Sequence, residues 1–341
     1  MKKNLFIKST LILILSGFLT KILGFIIKVI YTRIIGEYGI SLFTIATPTY
    51  SLLLTISTLA IPISISKLVS ENKGRSIRII TSAAFLILSI NFLLILLILL
   101  TRDFIAINLL KEPLASPILL AFALTLPFVS ISSVLKGYFA GKQNMVPHAT
   151  SNIIEQIIRL IIIITVLPIL MKKSVMHAVL GLILLTILSE ISSIIVFLFF
   201  LPKHINYKTK LLPSKKHTKD ILDISLPTVS SRIIGNIGYF LEPIILTNLL
   251  LFSGYTNSYI LREYGAYNAY SLALLTMPGF FIAAISTSLL PEISKFHGEK
   301  NNIMVKRRIH QALLFALIIG TFFSFIIFTF RDKLLFSLYN T

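Results

Sequence analysis

The chain has 341 residues, of which 55% are hydrophobic and 13% are charged, and its mean hydropathy is +0.90. This composition is typical of a membrane protein with several spans and excludes an ordinary soluble domain, in which about 25% of residues are charged. Cysteine is absent, which excludes disulfides, thiolate metal sites and a cysteine nucleophile. The six histidines lack metal-ligand spacing, so we predict no metal, cofactor or catalytic group.

Nine apolar segments are each long enough to cross a hydrocarbon core about 30 Å thick, which takes about 20 helical residues. The first has a basic start like that of a signal peptide, but no small-residue cleavage site follows, so we predict a retained span. The sequence thus predicts an all-α polytopic membrane protein. The predicted spans are about 11–35, 40–66, 79–100, 114–138, 148–167, 176–201, 225–246, 264–295 and 309–330.

Lysine and arginine are distributed unevenly between the loops. Of the 32 residues, 20 lie in the N-terminal segment and every second loop, whereas 8 lie in the alternate loops. The positive-inside rule therefore predicts a cytoplasmic N-terminus in the cell membrane. A net charge of +19 would suggest nucleic acid for a soluble protein, but this placement predicts membrane lipids and no nucleic acid as partners.

The sequence contains an internal repeat. The segment TKILG, which contains Lys21, matches SRIIG, which contains Arg232, and later segments of the two halves match in the same order. Six spans separate each matched pair, and this even number predicts two lobes of the same orientation. We predict a six-helix lobe (1–201), a basic cytoplasmic linker (202–220) and the first three helices of a second lobe (221–341). Six helices in the first lobe imply six in the second, so we expect the functional protein to continue beyond 341.

Charged residues inside the apolar spans are the candidate site. Arg232 lies about nine residues into its span, or roughly 14 Å deep, where a basic side chain facing lipid costs about 2.5–3.5 kcal/mol. Such groups face protein or water and mark a pathway. The candidates carry a net charge of +1 if all are ionised, and they are Lys21, Lys28, Arg159, Arg232, Glu155, Glu190 and Glu242.

Some of these charges have an evident partner. Glu155 precedes Arg159 by four residues, a spacing that favours a pair on one helix. Glu190 has no basic neighbour on its own helix, so it needs a partner from another helix or a bound proton. If all seven groups form ion pairs with one another, their role is to stabilise the helix bundle. If the basic groups are left over, the cavity suits an anionic headgroup such as a pyrophosphate.

Other classes of function remain open at this point. A drug or cation exporter of similar architecture would need an acidic group on the first helix, where two lysines are found. An integral-membrane glycosyltransferase usually needs a large outer loop with carboxylates, whereas the outer loops here are short. A non-transporting membrane scaffold is the third alternative.

Five segments carry a resemblance to a known family: LTKILGFIIKVIYTRIIGEYGISLF, LAIPISISKLVSENKG, LKGYFAGKQNM, SRIIGNIGYFLEPI and LLTMPGFFIAAISTSLLPEIS. Together they resemble the polysaccharide-transporter branch of the multidrug/oligosaccharidyl-lipid/polysaccharide (MOP) exporter superfamily. The resemblance implies a MATE-like, two-lobed helix bundle of fourteen spans, of which nine are present here.

The same resemblance implies a function. It points to a flippase, related to the MurJ-type lipid II flippases, that moves undecaprenyl-pyrophosphate-linked peptidoglycan or polysaccharide precursors outward during spore cortex formation. On the same resemblance, the alternative of a non-transporting scaffold would act in spore envelope assembly. The resemblance further implies Lys21, Lys28 and Arg232 as headgroup contacts, with Glu242 beside them. The expected drive is the membrane potential, protons or sodium, and cell-wall synthesis proteins are possible partners.

Overall fold

The computed structural model describes residues 2–71, 76–201, 213–282, 289, 293, 296 and 301–339. Every regular element within these ranges is helical. Short π-helical turns occupy Ile105–Leu109 and Tyr267–Ser271. The α-helices are α1 (Lys2–Thr58), α2 (Ile61–Glu71), α3 (Ser76–Phe104), α4 (Ala115–Gly141), α5 (Val146–Met171), α6 (Val175–Phe200), α7 (Lys215–Phe252), α8 (Asn257–Ala266), α9 (Leu272–Thr276) and α10 (Asn302–Tyr339).

The predicted polytopic membrane fold is confirmed. Seven helices in the described ranges are long and apolar enough to cross a membrane. The first of them contains a non-helical residue, Gly36 (φ 73°), and so supplies two of the predicted spans. The predicted span 264–295 extends into residues outside the described ranges. Helix α7 begins at Lys215, inside the segment predicted as a linker.

The second span differs from the continuous helix predicted for 40–66. Its helix ends at Thr58, and Leu59 and Ala60 adopt positive φ angles of 45° and 50° before α2 begins. Pro62 explains the break, because a proline ring clashes with the carbonyl four residues earlier and offers no N–H. Pro62 therefore ends the helix at this point, and the change of backbone conformation at Leu59 and Ala60 is larger than the simple bend expected for this span.

A buried polar network lies beside this break. The Ser57 hydroxyl lies 2.7 Å from Asn91 Oδ1 and 2.5 Å from the Ser130 hydroxyl, and Asn91 Nδ2 donates to Ser130 Oγ at 3.1 Å. Because the bilayer core offers no water to satisfy polar groups, such side chains must bond to one another. The network therefore joins α1, α3 and α4 next to the broken span.

Helix α7 packs against α1, α2 and α3 along its length. Asn236 Nδ2 donates to Thr55 Oγ1 at 3.0 Å, and the hydroxyls of Ser64 and Ser225 lie 2.6 Å apart. At the other end of the bundle, Arg262 Nε donates to Glu37 Oε1 at 2.5 Å. We call the end that carries Glu37 the Glu37 end. These contacts hold the second half of the chain against the first on one side of the bundle.

Two glycines allow α4 and α2 to approach closely. A Cβ at Gly137 would lie 2.8 Å from Pro62 Cα, and one at Gly141 would lie 2.7 Å from the Ser66 carbonyl oxygen. Small residues at helix interfaces permit this backbone approach in membranes, where van der Waals packing drives association. The close approach fixes α2 after the broken span.

We expect Gly137→Ala to lower the free energy of unfolding by about 1–3 kcal/mol, because its methyl group would meet backbone atoms that cannot move independently. The matched control is Gly235→Ala on α7, where no heavy atom lies within 4 Å of an added Cβ. That variant should be neutral, or stabilised by up to about 1 kcal/mol through helix propensity. Denaturant unfolding in detergent measures both. Equal stability of the two variants would contradict close packing at Gly137.

Candidate functional site

A cavity of about 450 Å³ lies between the two halves of the chain, and we call it the charged cavity. Helix α1 lines it with Lys21 and Lys28, α4 with Lys136, and α5 with Glu155. These four groups carry a net charge of +2 if all are ionised. The remaining lining residues are small, amide or aromatic: Thr20, Gly24, Phe25, Asn152, Gln156, Ala273, Thr276 and Phe280.

The cavity lies at the contact between α1 and the α8–α9 region. Lys28 Nζ donates to the Asn268 carbonyl oxygen at 3.3 Å, across the two halves of the chain. Two aromatic pairs continue this contact: Phe25 with Phe280 at a centroid distance of 6.4 Å, and Phe18 with Phe281 at 5.4 Å. Lys28 is therefore both a lining residue and a link between the halves.

A buried charge network forms one wall. Glu155 lies between two cations, with Lys136 Nζ at 3.6 Å from its Oε2 and Arg159 Nη2 at 2.9 Å from its Oε1. Arg159 Nη2 also lies 3.9 Å from Glu190 Oε1, and its Nε donates to Ser189 Oγ at 3.1 Å. Both carboxylates are only 6% exposed. Two cations thus balance two anions near the middle of α5.

A second cavity of about 460 Å³ adjoins the first, and we call it the aromatic cavity. The two share Gly24, Lys28, Glu155 and Gln156. Its walls come from α1, α4, α5 and α6, all in the first six spans. They include four aromatic residues, namely Tyr31, Phe43, Tyr50 and Phe122, together with Arg159, Glu190 and several aliphatic and hydroxyl side chains.

The structure brings five of the seven predicted site residues together: Lys21, Lys28, Glu155, Arg159 and Glu190 line one cavity or both. Glu190 finds its cation on another helix, as the sequence requires, and Glu155 pairs with Arg159 as predicted. Arg232 and Glu242 line neither of these two cavities. The Arg232 side chain is exposed, and Glu242 lies near Tyr239 and Tyr264.

Sequence reasoning missed Lys136, which it counted as a loop charge. The predicted fourth helix runs to 138, so Lys136 lies in its last turn, and a helical reading of that turn would have placed it with the spans. In the structure α4 continues to Gly141, so Lys136 lies more than a turn before its end. With Lys136, the described residues that line the charged cavity include three lysines and one glutamate.

Comparisons with known proteins agree with this architecture. The chain is 34% identical to stage V sporulation protein B of Bacillus subtilis (strain 168), over 100% of this chain and 68% of that protein. It is 27% identical to lipid II flippase MurJ of the same organism, over 49% of this chain and 33% of that protein. These relatives and the solved structure below are named for sporulation, flipping or transport rather than for catalysis.

A solved structure shares the fold. An inward-facing MATE family multidrug resistance transporter of the MOP superfamily superposes with a TM-score of 0.69 and 15% identity, covering 92% of this chain and 71% of that one. A family model described as polysaccharide biosynthesis protein matches residues 6–297. With this match and the identity to the sporulation protein, the chain belongs to the polysaccharide biosynthesis protein family and is a multi-pass membrane protein with the MOP transporter fold.

Proposed function

We propose that the chain acts in a membrane transporter that moves a lipid-linked oligosaccharide pyrophosphate across the bilayer by alternating access. The observation that carries this proposal is the cluster of Lys21, Lys28 and Lys136 in a cavity between the two halves of the chain, where Glu155 is the one carboxylate among the described residues that line it. Pyrophosphate oxygens accept charge-assisted hydrogen bonds from lysine, and these are about twice as strong as neutral ones. A cavity with surplus positive charge therefore favours a phosphate-bearing ligand.

The same charges argue against the rival functions. A cavity that binds cationic drugs or metal ions needs surplus carboxylates, whereas here both carboxylates of the charge network are paired with Lys136 or Arg159. A purely structural role for all the charges leaves Lys21 unexplained, because its side chain is exposed and lines the cavity. A scaffold would need no such group at that position.

Contacts at the Glu37 end support alternating access. Besides the Arg262 and Glu37 pair, Asn257 Nδ2 donates to the Lys111 carbonyl oxygen at 2.8 Å and Asn248 Nδ2 to that of Leu109 at 3.3 Å. These few polar contacts hold the two halves together at that end, and opening there requires that they separate.

Transport through a cationic cavity could be driven by the membrane potential, which supplies about 2.3 kcal/mol per charge per 100 mV, or by protons or sodium.

The names of two relatives support a proposal for the substrate class and the setting. They refer to sporulation and to lipid II. We therefore assign undecaprenyl-pyrophosphate-linked peptidoglycan or polysaccharide precursors as cargo, with a role in spore cortex formation and with cell-wall synthesis proteins as partners. The N-terminus is assigned to the cytoplasm because the basic loops follow the positive-inside rule.

The test of this function is Lys21→Ala, introduced at the chromosomal locus. We expect a severalfold lower fraction of lipid-linked precursor on the outer leaflet, because an exposed ammonium contributes a modest share of phosphate attraction. A membrane-impermeant reagent that labels the precursor headgroup measures this fraction in sporulating cells. Precursor should accumulate on the inner leaflet.

The matched control is Lys173→Ala, which removes the same charge from an exposed position between α5 and α6. It should leave outer-leaflet labelling at the wild-type level, with equal amounts of protein in the membrane. Wild-type labelling in both variants, or an equal loss in both, would remove the basis for a phosphate site in the charged cavity.

A further inference from the structure

The aromatic cavity is the feature that the proposed phosphate site leaves unexplained. It lies directly beside the charged cavity, since both are lined by Gly24, Lys28, Glu155 and Gln156. A ligand whose phosphates lie near Lys21 and Lys28 can therefore extend into it without crossing a helix. Its volume of about 460 Å³ falls within the range of about 300–1,000 Å³ found for small-molecule sites.

The charges in this second cavity balance, so it does not favour an ion of either sign. The cavity is lined by two cations, Lys28 and Arg159, and by the carboxylates of Glu155 and Glu190. The Arg159 guanidinium lies within 4 Å of both carboxylates. An added ion would have to compete with these existing pairs, which already compensate the desolvation of the buried groups. A neutral ligand meets no such competition.

Three uncharged polar side chains of the aromatic cavity offer hydrogen-bond acceptors to a ligand. The Thr47 hydroxyl donates to the Phe43 carbonyl oxygen at 2.8 Å and the Thr186 hydroxyl to that of Ile183 at 2.5 Å, so both oxygens keep lone pairs for a ligand. Gln156 Oε1 is buried and accepts no hydrogen bond from any residue in the described ranges. Leaving a buried acceptor unsatisfied costs about tenfold or more in an equilibrium constant. These groups fit a ligand that carries several hydroxyl donors.

Aromatic rings provide an apolar surface that a ligand in this cavity can contact. Tyr50 stacks on Phe122 with ring centroids 4.4 Å apart and an interplanar angle of 17°, and Phe43 lies 5.6 Å from Phe122. Aromatic faces carry negative charge density and attract the weakly positive C–H groups of a ligand. A sugar ring offers both C–H faces and hydroxyl donors, which matches walls of aromatic carbon and acceptor oxygen.

We propose that the aromatic cavity is a carbohydrate subsite that binds the sugar ring attached directly to the pyrophosphate. This inference rests on the proposed function, because the phosphate must be bound at Lys21, Lys28 and Lys136 for the adjoining sugar to reach Tyr50 and Gln156. The first sugar is the one assigned here, because it is joined covalently to the pyrophosphate and the two cavities are contiguous. The subsite gives the protein a means to distinguish a loaded carrier lipid from bare undecaprenyl pyrophosphate.

The experiment compares two ligands, undecaprenyl pyrophosphate and the same lipid bearing one hexose, for binding to the purified chain in nanodiscs. We expect wild-type protein to bind the hexose-bearing lipid about tenfold or more tightly than the bare one. Gln156→Leu, which keeps the side-chain size, should weaken binding of the hexose-bearing lipid about tenfold more than it weakens binding of bare undecaprenyl pyrophosphate, since Gln156 also lines the charged cavity. Tyr50→Leu should do the same, whereas Tyr50→Phe, which keeps the ring, should bind both ligands as wild type does.

Two outcomes overturn the subsite while leaving the proposed function intact. One is equal binding of both lipids by wild-type protein, with Lys21→Ala weakening both. The other is that Gln156→Leu weakens both ligands equally, or neither. Failure of wild-type protein to bind either lipid would instead remove the proposed function, and the subsite with it. Thermal unfolding of each variant in the same nanodiscs confirms that the proteins compared are folded.

Discussion

Arg159→Met is expected to lower the free energy of unfolding by about 3–5 kcal/mol, because it leaves a buried carboxylate without its cation. Arg159 Nη2 lies 2.9 Å from Glu155 Oε1 and 3.9 Å from Glu190 Oε1. Glu155 keeps a second partner in Lys136 at 3.6 Å, so the loss falls mainly on Glu190, which is only 6% exposed. Denaturant unfolding of the purified protein in detergent measures the change.

The control for this prediction removes the stranded charge. Arg159→Met combined with Glu190→Gln restores the balance between the remaining Lys136 and Glu155, and the amide has about the size of the carboxylate. We expect the double variant to recover most of the stability lost in the single variant, since replacing both members of a buried pair is far less harmful than removing one. A double variant no more stable than Arg159→Met alone would show that Arg159 acts through packing rather than through charge.

Much of the fold could be predicted from hydropathy, because each span must satisfy its own backbone in lipid and therefore forms a long helix. The direction change at Gly36 falls between the first two predicted spans, and α4, α5 and α6 begin and end within four residues of prediction. Periodicity also predicted the pair of Glu155 and Arg159, since four residues make about one helical turn. These features depend on local sequence, which explains the agreement.

Features that depend on contacts between helices could not be predicted in the same way. Pro62 predicts a disturbance of the second span, but the positive φ angles that complete the break fall on Leu59 and Ala60, residue types that rarely adopt them, and no glycine marks the position. The internal repeat makes Lys21 and Arg232 equivalent in sequence, yet Arg232 does not line the charged cavity. The rotation of α7 about its own axis depends on hydrogen bonds to other helices, such as that from Asn236 to Thr55. No pattern within the sequence of α7 specifies that rotation.

Lys28→Met is expected to weaken binding of undecaprenyl pyrophosphate by about 10- to 100-fold, since a hydrogen bond to a charged group contributes about 1.5–3 kcal/mol. Lys28 lines both cavities, is partly buried, and donates to the Asn268 carbonyl oxygen at 3.3 Å. Its charge therefore acts in a medium of lower effective dielectric constant than water, where attraction to phosphate is stronger. Titration of the purified protein in nanodiscs measures the dissociation constant, and Lys28→Arg, which keeps the charge, should retain most of the affinity.

The same argument ranks the two lysines of α1. Lys21 also lines the charged cavity, but its side chain is less enclosed by protein than that of Lys28, so water and ions that enter the cavity screen its attraction to phosphate more strongly. Lys21→Met should therefore weaken binding less than tenfold, and raising the salt concentration should reduce the contribution of Lys21 more than that of Lys28. A loss at Lys21 equal to or greater than that at Lys28 would place the phosphates nearer the exposed part of α1. The phosphates would then not lie beside the aromatic cavity, because of the two lysines only Lys28 lines that cavity as well.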